Sequence, residues 1–219
     1  MEERSFISRV YAWMFFALVI TAVISMWVAS TPSLVQAIFG NSILFIVLVL
    51  AEISMVMGLA FAINRISAMA ATFMFVVYSV LNGLTLSVIF VAFTTASLAT
   101  TFFVTAGTFG VMSIYGYTTK RDLTSIGNLA FMALIGLIIG SVVNIFWHNP
   151  ILYWAVTYIG ILIFVGLVAY DTQKIKQMNA QQMRDPEAER KGAILAALAL
   201  YLDFINLFLL LLRIFGRRR

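Results

Sequence analysis

Two aspartates flank the longest polar stretch of the chain, and their positions would allow them to share a proton. Asp171 ends one apolar run, and Asp203 lies well inside the next one. Two carboxyl groups in a low-dielectric site repel each other when both are ionised, and loss of hydration also disfavours their charged forms. Such a pair can hold one proton, titrate as a coupled unit, and open or close a pathway as the cytoplasm acidifies.

Each aspartate also has a plainer structural interpretation. Asp171 could be a solvated residue at a helix end, paired with Lys174 one helical turn further along the chain. Asp203 could bond to neighbouring helices and only hold them together, as Asn206 on the same helical face could do. On the functional interpretation, Asn206 instead lines a path that the aspartates control. Both interpretations remain open at this point.

Three more ionisable residues lie in or at the ends of apolar runs: Glu52, Arg65 and Arg213. A charged side chain at membrane depth costs about 2.5 to 3.5 kcal/mol on insertion scales, so each needs a partner, a proton or an aqueous cavity. Glu52 is either a second carboxylate along a polar path or a group buried in its neutral form. In a straight helix, Arg65 lies about 20 Å and about 220° away from Glu52, so these two residues cannot pair.

The composition places these groups in a membrane protein. The chain has 219 residues, of which 63% are hydrophobic and 11% charged, and its mean hydropathy is +1.02. Soluble domains are about 25% charged. The sequence contains no cysteine and one histidine, which argues against thiol chemistry and against a histidine-based metal centre. No catalytic motif is present either, so we expect neither an enzyme nor a cofactor.

Seven apolar runs predict an all-α, polytopic fold with seven transmembrane helices, because runs of about 20 apolar residues match the thickness of a bilayer. The runs are Val10 to Ala29, Ser42 to Ile63, Ala68 to Ala92, Ser97 to Tyr117, Ile126 to Trp147, Ile151 to Tyr170, and Ala193 to Phe215. Since most connections between them are short, we expect a single domain over residues 1–219. The lipid bilayer is then the main partner of the protein.

The last run has one small and polar face, which predicts a central position for the C-terminal helix. Steps of three and four residues along this face pass through Gly192, Ala196, Ala199, Asp203 and Asn206. Leucines cover the opposite side. Small residues let helix backbones approach closely, and a carboxylate beside an amide cannot face lipid without a cost. This face should therefore pack against other helices.

The distribution of basic residues predicts the orientation in the membrane. Ten lie in the N-terminal arm and in alternate connections: Arg4, Arg9, Arg65, Lys120, Arg121, Lys174, Lys176, Arg184, Arg190 and Lys191. The formal charge of +5 therefore reports orientation and not nucleic-acid binding. The N-terminal arm, 1–9, and the polar connection, 171–192, are predicted to be cytoplasmic. A full final crossing, which we favour over re-entry, would put the tail arginines 217–219 outside.

Four segments of the chain resemble the bacterial branch of the Bax inhibitor-1, or transmembrane Bax inhibitor motif, family. They are Asn82 to Ser87 (NGLTLS), Thr118 to Leu123 (TTKRDL), Ala169 to Lys176 (AYDTQKIK) and Tyr201 to Arg213 (YLDFINLFLLLLR). The likeness extends over nearly the whole chain. The last two segments are the most specific, because they place one aspartate at each end of the polar connection.

The resemblance implies a pH-sensitive calcium leak whose sensor is the pair Asp171 and Asp203. Calcium would be the permeant ion and would contact the two aspartates only transiently. The family pattern also implies an acidic residue in the second helix, which Glu52 matches, and a basic latch. Arg65 lies at the end of that helix and either acts as the latch or extends to lipid phosphates; Arg213 is a second candidate for the latch.

A second function class follows from the same resemblance. Bacterial relatives are similar to modulators of a membrane-anchored AAA protease, so the chain could be a non-enzymatic regulator that binds membrane partners. On this hypothesis the exposed terminus with Glu2, Glu3 and Arg4 contacts the protease, and the aspartate pair is only a structural lock. The bacterial branch also implies the inner, or plasma, membrane as the location, and the distribution of basic residues places the N-terminus in the cytoplasm.

Overall fold

The computed structural model describes residues 2–182 and 185–219, with side chains described for residues 6–178 and 185–219. The side chains of Glu2, Glu3, Arg4 and Arg184 therefore lie outside the described residues. The helices of the described ranges are α1 (Glu2–Ala29), α2 (Pro32–Phe39), α3 (Ser42–Ala62), α4 (Ala68–Ala92), α5 (Thr95–Thr118), α6 (Thr124–Trp147), α7 (Pro150–Gln182) and α8 (Pro186–Phe215). Seven of them, all except α2, are long and apolar enough to cross a membrane.

The fold class is therefore the predicted one, an all-α polytopic membrane protein.

Capping residues in the short connections determine where two of its helices begin. The Asn41 side chain accepts hydrogen bonds from the backbone N–H groups of Ile43 and Leu44, at 3.0 and 3.2 Å, at the start of α3. Asn149 caps α7 in the same way, directly before Pro150. Such caps satisfy N–H groups that have no partner within the helix.

The polar connection predicted over residues 171–192 is largely helical in its described residues. Helix α7 continues to Gln182, and α8 already begins at Pro186, where Asp185 accepts a hydrogen bond from the backbone N–H of Glu187. Lys, Gln, Glu and Ala are good helix formers, so the drop in hydropathy marks where the chain leaves the apolar layer and not where the helix ends. The N-terminal arm 1–9 is helical from Glu2 for the same reason.

The chain divides into two compact units. The first unit contains Met1–Thr95, Met178–Tyr201 and Arg218–Arg219. The second contains Ala96–Gln177 and Leu202–Arg217. The single domain over residues 1–219 stays a prediction.

Helix α8 is by far the most buried of the membrane-length helices. Of its most apolar window 67% is buried, against 6% for both α3 and α6. In the first unit, the start of α8 bonds to the start of α4, because the Ala68 N–H donates to Glu187 Oε1 at 2.7 Å. The tail bonds to the end of α4, where the Arg219 N–H donates to the Ala92 carbonyl at 3.0 Å. The full final crossing stays a prediction.

Candidate functional site

The structure brings Asp171 of α7 and Asp203 of α8 together in the second unit. Their carboxyl groups are hydrogen-bonded to each other. Asp203 is 5% exposed, and its Oδ2 has no donor among the described residues. Lys174 also acts on Asp171 electrostatically, as the plainer interpretation expected, but it lies on the same helix and does not replace Asp203 as a neighbour. The predicted pair is thus a direct contact.

The chemistry of this contact requires a proton. Ionised carboxylates only accept hydrogen bonds, so a hydrogen bond between two of them exists only when one is protonated. Buried charges without a partner cost several kcal/mol, and two adjacent ones cost more. One proton held between Asp171 and Asp203 supplies the donor that this contact requires. The pair then carries one negative charge instead of two.

Close packing around Asp171 holds this end of the pair in place. Gly116 of α5 lies against the backbone of Ala169, and a Cβ at Gly116 would overlap the Ala169 carbonyl. Gly127 of α6 lies against the ring of Tyr170, where a Cβ would also overlap. Only glycine allows approaches this close. Two residues directly before Asp171 are thereby fixed against two different helices.

Residues just after Asp171 are bonded to the turn between α5 and α6. The Gln173 side chain accepts from the Leu123 N–H and donates to the Arg121 carbonyl, both at 2.8 Å. Lys176 donates to the Tyr117 carbonyl at 2.9 Å, and its Nζ lies 4.7 Å from the centre of the Tyr117 ring. Two of the four family-like segments, AYDTQKIK and TTKRDL, therefore contact each other. Together they position Asp171.

On α8, aromatic packing fixes the backbone next to Asp203. The Phe204 ring meets those of Phe102 and Phe109 of α5 edge to face, at 5.7 and 5.5 Å between centres. Asn206, which was predicted to line a path, donates its amide to the Leu202 carbonyl one turn back in its own helix, at 2.8 Å. That bond ties Asn206 to α8 itself, so its place on a path stays a prediction.

Glu52 lies in the first unit, in a network that the sequence did not reveal. Its carboxylate accepts from the Thr85 hydroxyl at 2.7 Å and from the Asn82 amide at 3.4 Å, both on α4. Tyr201 of α8, which is fully buried, donates to Asn82 Oδ1 at 3.2 Å. The NGLTLS segment carried the available signal, since Asn82 and Thr85 are polar residues in an apolar helix. Which helix they face could not be read from one sequence.

The two latch candidates belong to different units, Arg65 to the first and Arg213 to the second. Arg65 is exposed and makes no ion pair within the part of the chain whose side chains are described. Arg213 contacts α7 instead, where it donates to the Thr157 hydroxyl at 3.4 Å and lies 5.0 Å from the centre of the Tyr153 ring. These contacts do not join Arg213 to either aspartate, and the latch stays a prediction.

The described acidic residues do not form a dedicated metal site. Within the described ranges, no group of three or more His, Cys, Asp or Glu side chains could hold a metal ion. Calcium takes six to eight oxygen ligands, and two carboxyl groups supply few of them. The pair can therefore contact a passing, partly hydrated cation but does not form a tight calcium site.

Comparison with known proteins identifies relatives over the whole chain. Residues 3–219 match the model of the family described as "Inhibitor of apoptosis-promoting Bax1". The chain is 51% identical to the inner membrane protein YbhL of Escherichia coli K12, over 99% of this chain and 93% of that protein. It is 42% identical to uncharacterized proteins of Borreliella burgdorferi and Rickettsia prowazekii, again over 99% of this chain and 94% and 91% of theirs. These matches confirm the resemblance of the four segments.

Proposed function

The chain belongs to the Bax inhibitor-1 family, and on that premise we propose that it is a pH-sensitive, passive calcium leak of the bacterial inner membrane. Asp171 and Asp203 are its proton sensor and gate. In this proposal the protein is not an enzyme and needs no cofactor, Ca²⁺ is the permeant ion, and the N-terminus is cytoplasmic. The inner-membrane location is supported by the relative from E. coli and by the seven membrane-length helices.

One observation carries the proposal: the buried hydrogen bond between the two carboxyl groups. With one shared proton, this bond joins α7 to α8. When the proton leaves, the bond is lost and two like charges face each other at close range, which favours their separation. Protonation thereby selects between two arrangements of α7 and α8, and the conductance differs between them.

The chemistry of the site favours passage of calcium over its storage. Carboxyl oxygens are suitable ligands for Ca²⁺, but conduction requires binding weak enough for the ion to leave. A pair with one net negative charge attracts a cation without enclosing it. Transient contact of a partly hydrated Ca²⁺ with Asp171 and Asp203 fits this requirement.

Calcium flux into vesicles tests the proposal. The purified protein is reconstituted in vesicles of E. coli lipids that contain a calcium dye, and the internal pH is varied at fixed external calcium. We expect the flux of the unsubstituted protein to depend on pH and that of the variant Asp171→Asn, Asp203→Asn to be independent of it. A flux without pH dependence in the unsubstituted protein, or an unchanged dependence in the variant, would contradict the proposal.

The control variant is Asp122→Asn. Asp122 lies in the exposed turn before α6, where hydrogen bonds from the hydroxyl and the backbone N–H of Thr124 lower the pKa of its carboxyl group. This aspartate stays ionised near neutral pH, so its removal should leave the pH dependence of the flux unchanged.

A further inference from the structure

A continuous hydrogen-bonded chain in the first unit joins Glu52 to a carbonyl group on another part of α4. From Glu52 of α3 it passes to Asn82 of α4 and on to Tyr201 of α8, over 3.4 and 3.2 Å. The Tyr201 hydroxyl lies 2.7 Å from the hydroxyl of Thr21 of α1, which lies 2.9 Å from the Ser79 carbonyl. Thr21, Asn82 and Tyr201 are all buried. The chain connects four helices.

The hydroxyl groups of this chain make more contacts than they have hydrogens. Thr21 and Tyr201 contribute one hydroxyl hydrogen each. Three contacts compete for these two hydrogens: Thr21 with Ser79, Thr21 with Tyr201, and Tyr201 with Asn82 Oδ1. An oxygen–oxygen distance of 2.7 Å requires a hydrogen between the atoms. With Asn82 in this orientation, one of the three contacts must therefore lack its hydrogen.

The amide of Asn82 is the weakly held part of the chain. Its nitrogen lies 3.4 Å from Glu52 Oε2 and 3.3 Å from the Tyr78 hydroxyl, and its oxygen lies 3.2 Å from Tyr201. These distances are at or beyond the long end of the usual range. A half-turn about the Cβ–Cγ bond exchanges Oδ1 and Nδ2 at nearly the same positions. The same pocket therefore accommodates either orientation of the amide.

The reversed amide gives each contact of the series one hydrogen when Glu52 carries a proton. The Glu52 hydroxyl then donates to Asn82 Oδ1, and Asn82 Nδ2 donates to Tyr201. Tyr201 donates to Thr21, and Thr21 donates to the Ser79 carbonyl. With Glu52 ionised, the direction of donation is reversed. Thr21 donates to Tyr201, Tyr201 donates to Asn82 Oδ1, and Asn82 Nδ2 donates to Glu52. Protonation of Glu52 is thus linked to the direction of donation along this series of hydrogen bonds.

We propose that Glu52 is a second proton-binding site of this protein, and that its protonation turns the Asn82 amide and reverses the hydrogen bonds as far as Thr21. The titratable groups that interact with Glu52 are Tyr78 from α4 and Tyr201 from α8. Helix α1 contributes the neutral hydroxyl of Thr21, and α2 has no titratable residue. This site lies within the first unit, so the proposal does not rest on the calcium leak.

Thr21 is the residue whose removal separates the two states. When Glu52 is protonated, Thr21 is the acceptor for the Tyr201 hydroxyl, and Thr21→Val leaves that buried hydrogen without a partner. When Glu52 is ionised, Tyr201 still donates to Asn82. We expect Thr21→Val to lower the pH midpoint of Glu52 protonation by about 0.7 unit, a fivefold loss of proton affinity, since one net hydrogen bond contributes about 1 kcal/mol.

Infrared difference spectroscopy in a pH titration measures this midpoint. The Asp171→Asn, Asp203→Asn background removes the signals of the aspartate pair, and Glu52→Gln assigns the carboxylic C=O band of Glu52. The tyrosine C–O band should shift together with that carboxyl band. Tyr201 donates a hydrogen bond to Asn82 when Glu52 is ionised, and it accepts one from Asn82 when Glu52 is protonated. The tyrosine signal can be measured without substituting any residue of the hydrogen-bonded series.

The matched control is Ser25→Ala. Ser25 lies one turn after Thr21 on α1, is also buried, and donates to the Gly83 carbonyl at 2.8 Å, outside the chain. It should leave the midpoint unchanged, as should Thr21→Ser, which keeps the hydroxyl. If Thr21→Val does not fold, Thr21→Ala removes the same hydroxyl.

Three results would overturn the proposal. One is a Glu52 band that does not titrate between about pH 4 and pH 10, a range that brackets the usual carboxyl values and large upward shifts. The second is an equal midpoint shift in the Thr21→Val and Ser25→Ala variants, which would mean that Thr21 supports the packing and not the chain. The third is a tyrosine band that stays constant through the transition, which would contradict the reversal.

Discussion

The substitution Asp203→Asn should lock the gate in its proton-shared state. The introduced amide is nearly the same size as the carboxyl group and can donate a hydrogen bond to ionised Asp171. It thereby reproduces both properties of the shared pair, one negative charge and one hydrogen bond. We expect the calcium flux of this variant to be independent of pH and equal to that of the unsubstituted protein on the acidic side of its transition.

The size of the effect follows from the repulsion that the substitution removes. Two unit charges about 4 Å apart repel by about 4 kcal/mol at an effective dielectric constant of about 20. Asp171 is only partly shielded from solvent, which weakens this interaction. If about 2 kcal/mol acts on the gate, the equilibrium between its two states changes about thirtyfold. The unsubstituted protein should therefore change its flux by more than about tenfold across the transition, and the variant by less than about twofold.

The assay is dye-reported calcium entry into vesicles over a series of internal pH values. Asp122→Asn again serves as the control, because it also replaces one aspartate by asparagine but lies in an exposed turn. The reasoning would be refuted if Asp203→Asn kept the full pH dependence. It would also be refuted if the flux of the variant matched the alkaline level of the unsubstituted protein.

The remaining predictions concern what holds Asp171 in place. Gly116→Ala should lower the free energy of unfolding by about 1 to 3 kcal/mol, because the added methyl group overlaps the Ala169 carbonyl; Gly136→Ala, where the space is open, should raise it by up to about 1 kcal/mol, because alanine is the better helix former. Gln173→Ala should cost about 1 to 3 kcal/mol by leaving the buried Leu123 N–H unpaired, and Gln173→Glu, which keeps that acceptor, should cost less. Unfolding in detergent measures all four variants, and equal stabilities within either comparison would contradict these contacts.

The spanning helices could be predicted because the bilayer imposes a length and a composition on each of them. Helix α2 was missed, because eight residues between two spans are too short for a hydropathy signal. The far end of α7 was missed for a related reason. Hydropathy falls after Tyr170, but the backbone continues as a helix to Gln182, since its polar residues are good helix formers.

The aspartate pair could be predicted because the two residues stand out in apolar surroundings. The partners of Glu52 could not, because contacts between α3 and α4 depend on the rotation of each helix, which one sequence does not specify. Gln173 is a similar case. Its position in the AYDTQKIK segment was noted, but its bonds to the turn at Leu123 depend on packing between distant parts of the chain.

The most direct test of the account is the distance between the carboxyl groups of Asp171 and Asp203 in structures determined on either side of the pH transition. On the acidic side, we expect the two groups to be in hydrogen-bond contact, at about 2.5 to 2.7 Å between oxygens. On the alkaline side, they should have moved beyond that range, with each carboxylate facing water or a cation. The same contact at both pH values, alongside a pH-dependent calcium flux, would contradict the central claim that this pair is the gate.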